Sequence, residues 1–212
     1  MSGRVRAGVL AAVAALALAA CGSAGTPGLV SANCVGHPVP TGADDGSPAP
    51  ALLRALGVLR GRGAAVPAAL LTDLERRAQV FVRYARRARV ADGRTYYLVP
   101  EITEDPVTCR RQQGVVLIVA SPMQDTFETL TLAAIENGRP QMTLGSGNGQ
   151  TTVELVVPDS VGSVSMRCPA GKAGGFSRRT VAAATVTAHP VGNVVALSVP
   201  RSGVQLRRCA RS

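Results

Sequence analysis

The segment Gly114–Ala120 reads GVVLIVA, and it is a continuous apolar run. Such a run predicts a buried strand. Upstream, Thr95–Val99 (TYYLV) has the composition of a strand and stops at Pro100. Further strands are predicted downstream at Thr151–Val157, Val161–Arg167, Thr180–Ala188, Val194–Val199 and Val204–Arg207. Their regular spacing, with turns between them, predicts an antiparallel meander.

Helical periodicity precedes most of these strands. Over Pro67–Ala88 the apolar residues recur every three or four positions and form one stripe, and Pro67 suits a first helical turn. A shorter helix is predicted over residues 51–61. Residues 123–137 (MQDTFETLTLAAIEN) also favour a helix that stops at Asn137-Gly138. The expected class is therefore α+β, with N-terminal helices packed on a mostly antiparallel β-sheet.

The N-terminus has the pattern of an export signal. Arg4 and Arg6 precede the apolar run Ala7–Ala20, which as a helix rises roughly 20 Å and is too short for a bilayer core of about 30 Å. The run ends in Leu18-Ala19-Ala20-Cys21, which resembles the lipobox of bacterial lipoproteins. That resemblance implies a diacylglyceryl group on the Cys21 thiol and cleavage just before this residue. The alternative is an ordinary signal peptide whose removal leaves a free thiol.

Export divides the chain into three predicted parts. Residues 1–20 are expected to be the lipoprotein signal peptide, residues 21–50 a flexible tether, and residues 51–212 a single domain. The tether is predicted because Gly, Ser and Pro are frequent there and no apolar period is present. Removal of the signal leaves 212 − 20 = 192 residues, which is enough for one domain with a real core.

The cysteine count fits an exported chain. Besides Cys21 there are four cysteines, and an even number in an oxidising compartment predicts two disulfides among Cys34, Cys109, Cys168 and Cys209. The sequence does not choose among the three pairings. A metal site is the alternative, but the wide spacing, the lack of a C-x-x-C pair and only two histidines disfavour it. No metal and no cofactor are expected.

The chain is strongly basic, with a net charge of +10. Lys172 is its only lysine, so 23 − 1 = 22 of the basic residues are arginines. This excess of Arg over Lys, with abundant Ala, Gly, Pro and Val, is typical of a high-GC genome and indicates an actinobacterial source. Part of the basic character therefore reflects codon usage.

Four arginines fall opposite the apolar stripe of the predicted helix 67–88, namely Arg76, Arg83, Arg86 and Arg87. This basic face predicts contact with an anionic surface, and anionic lipid or a cell-wall polymer lies nearest to an anchored protein. A solvated helix face without a partner is the alternative. Nucleic acid is not expected as a partner, because the chain is exported and lacks interleaved aromatic residues. No feature indicates a particular protein partner.

Three short motifs in the strand half resemble a family of exported actinobacterial proteins of unassigned function. They are Tyr97-Leu98-Val99-Pro100, Val156-Val157-Pro158-Asp159-Ser160-Val161 and Asn193-Val194-Val195. In that family the middle motif usually reads V-P-D-G-V, whereas Ser160 stands here in place of Gly. An acidic residue often precedes the Asn, whereas Gly192 does so here. The resemblance covers roughly Leu52 to Pro200 and implies a shared fold, but no activity.

Two groups of residues invite an enzymatic hypothesis. Ser160 lies in P-x-S-x-G, which departs from the nucleophile elbow G-x-S-x-G, and His189 is its candidate base. A turn serine and a strand-end histidine are the alternative. Glu101, Glu104 and Asp105 form a carboxylate cluster suited to acid–base work or Ca²⁺, with a solvated loop as the alternative.

These observations predict a lipoprotein anchored through Cys21 to the extracytoplasmic face of the cell membrane. The expected role is a non-enzymatic binding or interaction module, because no catalytic motif is complete. A small serine hydrolase that uses Ser160 and His189 is the alternative function.

Overall fold

A computed structural model describes residues 40–104, 108–138, 142–145, 151–172, 180–199 and 209–211 of the chain. The helices are α1 (Pro50–Ala55), α2 (Ala68–Glu75) and α3 (Leu132–Glu136), with 3-10 turns at Gly57–Arg60 and Val82–Tyr84. The strands of the first half are β1 (Gly42–Ala43), β2 (Gln79–Val80), β3 (Arg86–Ala91), β4 (Arg94–Glu104), β5 (Arg111–Ala120) and β6 (Asp125–Thr131). The second half holds β7 (Met142–Gly145), β8 (Thr151–Val156), β9 (Val164–Cys168), β10 (Gly171–Lys172), β11 (Thr180–Val181), β12 (Ala184–Ala188), β13 (Val194–Val199) and β14 (Ala210–Arg211).

The expected α+β class, with N-terminal helices packed on the sheet, is wrong, because the described chain is mostly β-strand and its helices are short. The largest difference lies in the predicted helix 67–88. Only Ala68–Glu75 is helical there, and β2 and β3 then both pair with β4. Ala78 and Ala85 of the predicted stripe are buried, but neither lies in a helix. Pairing with β4 thus overrides the helical spacing.

The predicted helix 123–137 is also wrong over most of its length. Residues 125–131 form β6, which pairs with β5 from Gly114↔Thr131 to Ala120↔Asp125. Only the end of the segment is helical, as α3. The Thr131 side chain caps this helix by accepting a hydrogen bond of 3.1 Å from the Ala134 N–H. The predicted strand Gly114–Ala120 is confirmed, since it lies within β5.

The first half forms one six-stranded sheet with the order β1-β2-β4-β5-β6, in which β3 also pairs with β4. Strands β4 and β5 are central and contribute apolar side chains to both faces. Tyr96 and Leu98 of β4 face one hydrophobic cluster, which also contains residues of α1 and of the first 3-10 turn. Tyr97 and Val99 face a second cluster, which includes Leu70 and Leu74 of α2. This alternation explains why TYYLV and GVVLIVA are nearly uninterrupted apolar runs.

The second half adds further small sheets rather than one meander. Strands β13, β8 and β7 form one sheet and β12, β9 and β14 another, and the described pairs in both are antiparallel. Leu155 and Leu197 face the cluster between these two sheets, whereas Val156 and Val194 face the six-stranded sheet. The sheet that contains β8 therefore forms a middle layer, and all six residues of β8 are buried. The predicted strand Val204–Arg207 lies outside the described residues.

The end of the predicted tether belongs to the folded part. β1 pairs in parallel with β2, and the Asp44 N–H donates to the Val80 carbonyl across 2.8 Å. The Gln79 side-chain amide donates to the Asp44 carboxylate at 2.7 Å. The fold thus includes residues from 42 onward, whereas the sequence placed its start at residue 51. Residues 21–39 of the predicted tether and the predicted signal peptide lie outside the described residues.

Candidate functional site

The second and third motifs meet at one end of the middle sheet. Val156 pairs with Val194 in the antiparallel register of β8 and β13. The turn that follows β8 and carries Asp159 therefore lies beside the turn that precedes β13 and carries Asn193. The Asn193 amide donates to Asp159 Oδ1 across 2.7 Å, although the residues are 34 positions apart in the chain.

Asn193 and Asp159 also hold the backbone of the first 3-10 turn. Asn193 Oδ1 accepts from the Val58 N–H at 3.1 Å, and Asp159 Oδ1 accepts from the Gly57 N–H at 2.9 Å. The Asn193 amide donates a further bond of 3.0 Å to the carbonyl of Val157. The two side chains thus satisfy backbone groups of two segments, residues 57–58 and residue 157, and we call this arrangement the Asp–Asn network.

Two more contacts complete the Asp–Asn network. The Asp159 N–H donates to the Ala55 carbonyl at the end of α1 across 2.8 Å. Arg60 donates to Asp159 Oδ2 at 3.2 Å, in an ion pair whose side chains are both about half exposed. A Cβ at Gly57 would collide with the Asp159 carboxylate, so a side chain at residue 57 would displace the acid.

The turn before β13 depends on its sequence, Gly192-Asn193. Val191 and Val194 form an isolated bridge, and the two residues between them have φ values of 56° and 68°. Positive φ at both central residues is the requirement of a tight hairpin turn that Gly and Asn meet with least cost. A Cβ at Gly192 would also overlap the backbone of Ala88 in β3. Glycine at position 192 is therefore required by this close approach.

A shallow, open depression of about 390 Å³ lies beside the network. Its walls are Val58, Pro158, Asp159, Val161, Gly162, Pro190, Gly192 and Asn193. The polar groups on these walls are those of Asp159 and Asn193, and both already bond within the protein. The depression therefore presents apolar walls and one half-exposed carboxylate, that of Asp159.

The hydrolase pair, Ser160 and His189, lies close to this depression. Ser160 is exposed in the turn after β8. The His189 Nδ1 atom lies 2.8 Å from the Gly162 carbonyl, so this nitrogen donates and Nε2 is the ring nitrogen left to accept a proton. Among the described residues no hydrogen bond joins Ser160 to His189. The pair therefore lacks the contact through which a base activates a serine.

A buried polar cluster that the sequence analysis missed lies between the six-stranded sheet and the middle sheet. Glu154 of β8 is 0% exposed, and its Oε1 accepts a hydrogen bond of 2.9 Å from the Tyr96 hydroxyl. Arg94 Nη1 lies 4.0 Å from the same oxygen. Glu154 Oε2 and Arg89 Nη1 are buried without a hydrogen-bond partner in the described part of the chain. The sequence feature that indicates this cluster is the acid inside the apolar run TTVELVV. A buried acid requires polar or charged partners.

The buried cluster alters the acidity of its members. Burial raises the pKa of the Glu154 carboxyl, while the Tyr96 hydrogen bond and the charges of Arg94 and Arg89 oppose this rise. Burial also raises the pKa of the Tyr96 phenol to about 12, and the neighbouring Glu154 adds to the rise. The cluster places the Glu154 carboxyl near the charges of two guanidinium groups, and its hydrogen bond with Tyr96 ties β4 to the middle sheet.

The proposed carboxylate cluster is only partly described. Glu101 in β4 is buried, and burial raises its pKa to about 7, against a hydrogen bond to Thr129 and the charge of Arg77. Glu104 ends β4, whereas Asp105 lies outside the described residues. Within the described ranges no group of three His, Cys, Asp or Glu side chains is arranged to hold a metal ion. Among the described residues, Glu101 is therefore a buried carboxyl that belongs to no metal-binding cluster.

One predicted disulfide is confirmed, between Cys168 at the end of β9 and Cys209 just before β14. It closes a separation of 41 residues and joins β9 to β14 in the sheet β12-β9-β14, which we call the outer sheet. Cys109 is disulfide-bonded as well. Cys34 lies outside the described residues, as does the proposed lipidation site Cys21.

The four arginines assigned to one helix face do not lie on a helix face. Arg76 follows α2 and pairs with Asp73 at 3.3 Å, while Arg83 lies in the second 3-10 turn. Arg86 and Arg87 begin β3. The helix expected to carry these four arginines is therefore wrong, whereas their contact with an anionic surface stays a prediction.

None of the helices in the described ranges has the length and apolarity of a membrane-spanning segment. Comparisons of the chain with protein-family models, with curated proteins and with solved structures find no match.

Proposed function

We propose that this protein is an envelope lipoprotein, anchored to the extracytoplasmic face of the cell membrane through a lipid on Cys21. The observation that carries the proposal is the sequence Leu18-Ala19-Ala20-Cys21 directly after a short apolar run. A disulfide between Cys168 and Cys209 supports it, because disulfides persist in oxidising compartments outside the cytoplasm. Two acyl chains would hold the protein firmly, since one chain alone binds only marginally.

We further propose that the folded part is a non-enzymatic binding or interaction module. The proposal is supported by the polar side chains near the depression and in the interior, which form hydrogen bonds within the protein. Asp159 and Asn193 bind backbone groups of neighbouring segments, and Glu154 binds Tyr96 in the interior. The open depression has apolar walls and no nucleophile beside a base in its lining. Such a molecule offers surfaces rather than a reactive centre.

Metabolic labelling tests the anchor. The full chain is expressed in a bacterial host fed with an alkyne fatty acid, together with Cys21→Ser and, as a matched control, Cys34→Ser. We expect label and membrane association for the unaltered chain and for Cys34→Ser, and neither for Cys21→Ser. Equal labelling of the Cys21→Ser variant would contradict the proposal.

A serine-reactive phosphonate probe tests the non-enzymatic role. We expect no labelling that depends on Ser160, because no hydrogen bond joins Ser160 to His189 among the described residues. Labelling that is abolished by Ser160→Ala and by His189→Gln would favour the hydrolase instead.

A further inference from the structure

Residues 61–64 lie along the start of β3. This arrangement brings arginines from three segments of the chain close to one another. Arg86 Nε donates to the Gly61 carbonyl at 2.7 Å, and the Arg87 N–H donates to the Ala64 carbonyl at 2.9 Å. Arg86 Nη1 donates to the Arg83 carbonyl at 2.7 Å, which joins the second 3-10 turn to the same place. The backbones of residues 61–64, 83 and 86–87 are therefore immediate neighbours.

Three exposed guanidinium groups extend from this junction, and we call Arg62, Arg83 and Arg87 the arginine strip. None of the ion pairs among the described residues involves any of the three. Arg86, in contrast, points its guanidinium at the carbonyls of Gly61, Arg83 and Ala85. Arg86 thus fixes the backbone of the strip, while the other three leave their charges facing solvent.

The surroundings of the arginine strip contain few acids. From Arg54 to Arg94 the chain carries Asp73, Glu75 and Asp92 as its acidic residues, against ten arginines. Asp73 bonds with Arg76, and Asp159 bonds with Arg60, so these two acids are engaged elsewhere. The strip therefore keeps a local positive charge that a partner would have to balance.

We infer that the arginine strip docks the protein on an anionic phospholipid bilayer. The inference rests on the proposed anchor, which would hold the strip close to such a surface. Val90, on the same strand as Arg87, is 63% exposed, and an apolar side chain beside arginines suits the boundary between headgroups and acyl chains. This combination favours a bilayer over a soluble anionic polymer.

The test uses the mature chain from residue 21 with Cys21→Ser, which takes no lipid, so that binding by the strip is measured alone. The strip variant is Arg62→Gln/Arg83→Gln/Arg87→Gln. The matched control is Arg76→Gln/Arg110→Gln/Arg167→Gln, which removes the same charge from exposed arginines elsewhere. Arg110 precedes β5 at the end opposite β3, and Arg167 lies in the outer sheet. Thermal unfolding of each variant verifies that it is folded.

Sedimentation with vesicles of phosphatidylglycerol and phosphatidylcholine gives the affinity. We expect a loss of about fivefold for each strip arginine, or on the order of 100-fold for three, and a much smaller loss for the control. Binding should disappear in about 0.5 M salt and with vesicles of phosphatidylcholine alone. Equal losses for both triple variants would overturn the inference, as would salt-independent binding. Binding to polyphosphate without binding to vesicles would also overturn it.

The vesicle-binding test of the arginine strip can be distinguished from the labelling test of the anchor. Fatty-acid labelling of Cys21 with no vesicle binding by the unlipidated chain would leave the proposed anchor standing and remove the docking surface. Vesicle binding by the unlipidated chain without fatty-acid labelling of Cys21 would support the docking surface and contradict the proposed anchor.

Discussion

The amide of Asn193 donates to the carboxylate of Asp159 across 2.7 Å, and together they join α1, the first 3-10 turn and two turns of the middle sheet. These residues belong to two motifs that are separate in the sequence, Val156–Val161 and Asn193–Val195. Their contact gives the motifs a structural role, because each side chain satisfies backbone groups of segments that are distant in the chain.

Asn193→Ala should lower the free energy of unfolding by roughly 2–3 kcal/mol, because buried hydrogen bonds are lost and φ is positive at this residue. Asn193→Gly should also be clearly destabilising. Glycine adopts the positive φ without strain, but the side-chain hydrogen bonds of Asn193 are still lost. Urea unfolding provides the measurement, with Asp45→Ala as a control at an exposed acid. A double-mutant cycle with Asp159→Ala should give a coupling of about 0.5–3 kcal/mol, and strict additivity would count against the network.

Tyr96→Phe should lower the free energy of unfolding by about 1.5–3 kcal/mol, because it removes the hydrogen bond to the buried carboxyl of Glu154. Tyr97→Phe is the matched control, since Tyr97 is also buried but faces the other side of the six-stranded sheet. Urea unfolding of both variants makes the comparison. Equal effects of the two substitutions would show that the Tyr96–Glu154 bond contributes nothing to stability.

Stability should fall as the pH rises from about 4.5 through about 7, owing to Glu101. Burial raises the pKa of this carboxyl to about 7 in the folded protein, so the folded state holds the proton more tightly than the unfolded state. The loss attributable to Glu101 is about 3 kcal/mol at most, from about 1.4 kcal/mol per pH unit. Glu154 changes stability in the same direction, because its pKa is raised as well.

Glu101→Gln isolates that contribution, because it keeps the shape of the side chain and removes the titration. Urea unfolding at about pH 4 and about pH 8, which flank the window of about 4.5 to 7, should show a smaller difference in the variant than in the unaltered protein. The same difference in both proteins would contradict the assignment to Glu101.

Loss of the Cys168–Cys209 disulfide should lower the free energy of unfolding by about 2–4 kcal/mol, because the bridge constrains a long loop of the unfolded chain. Cys168→Ala/Cys209→Ala tests this by urea unfolding.

Mass spectrometry of non-reduced peptides should also find Cys109 joined to Cys34, which is the cysteine left when Cys21 carries lipid. A Cys109–Cys21 peptide would contradict both this pairing and the lipidation.

The sequence predicted strands well where the apolar run was long. GVVLIVA at 114–120 lies in β5, and the predicted strand Val194–Val199 coincides with β13. The helix over 67–88 was wrong because Ala78 and Ala85 fit a helical stripe, yet their segment is held by pairing with β4. Such pairing depends on residues distant in the chain, which local spacing does not reveal.

The site was predicted only in part, for the same reason. The motifs containing Asp159 and Asn193 were noted, but their contact spans 34 positions and depends on the register of β8 with β13. Glu154 gave a readable signal, since an acid within TTVELVV requires partners once that run is buried. The identities of Tyr96 and Arg94 as those partners required the stacking of two sheets.

The central claim is the lipid on Cys21, and the mass of the mature N-terminal peptide tests it most directly. The protein is recovered from bacterial membranes with detergent and digested, and its N-terminal peptide is analysed by mass spectrometry. We predict a peptide that begins at Cys21 and carries a diacylglyceryl group. A mature chain that begins at another residue, or at Cys21 with an unmodified thiol, would contradict it.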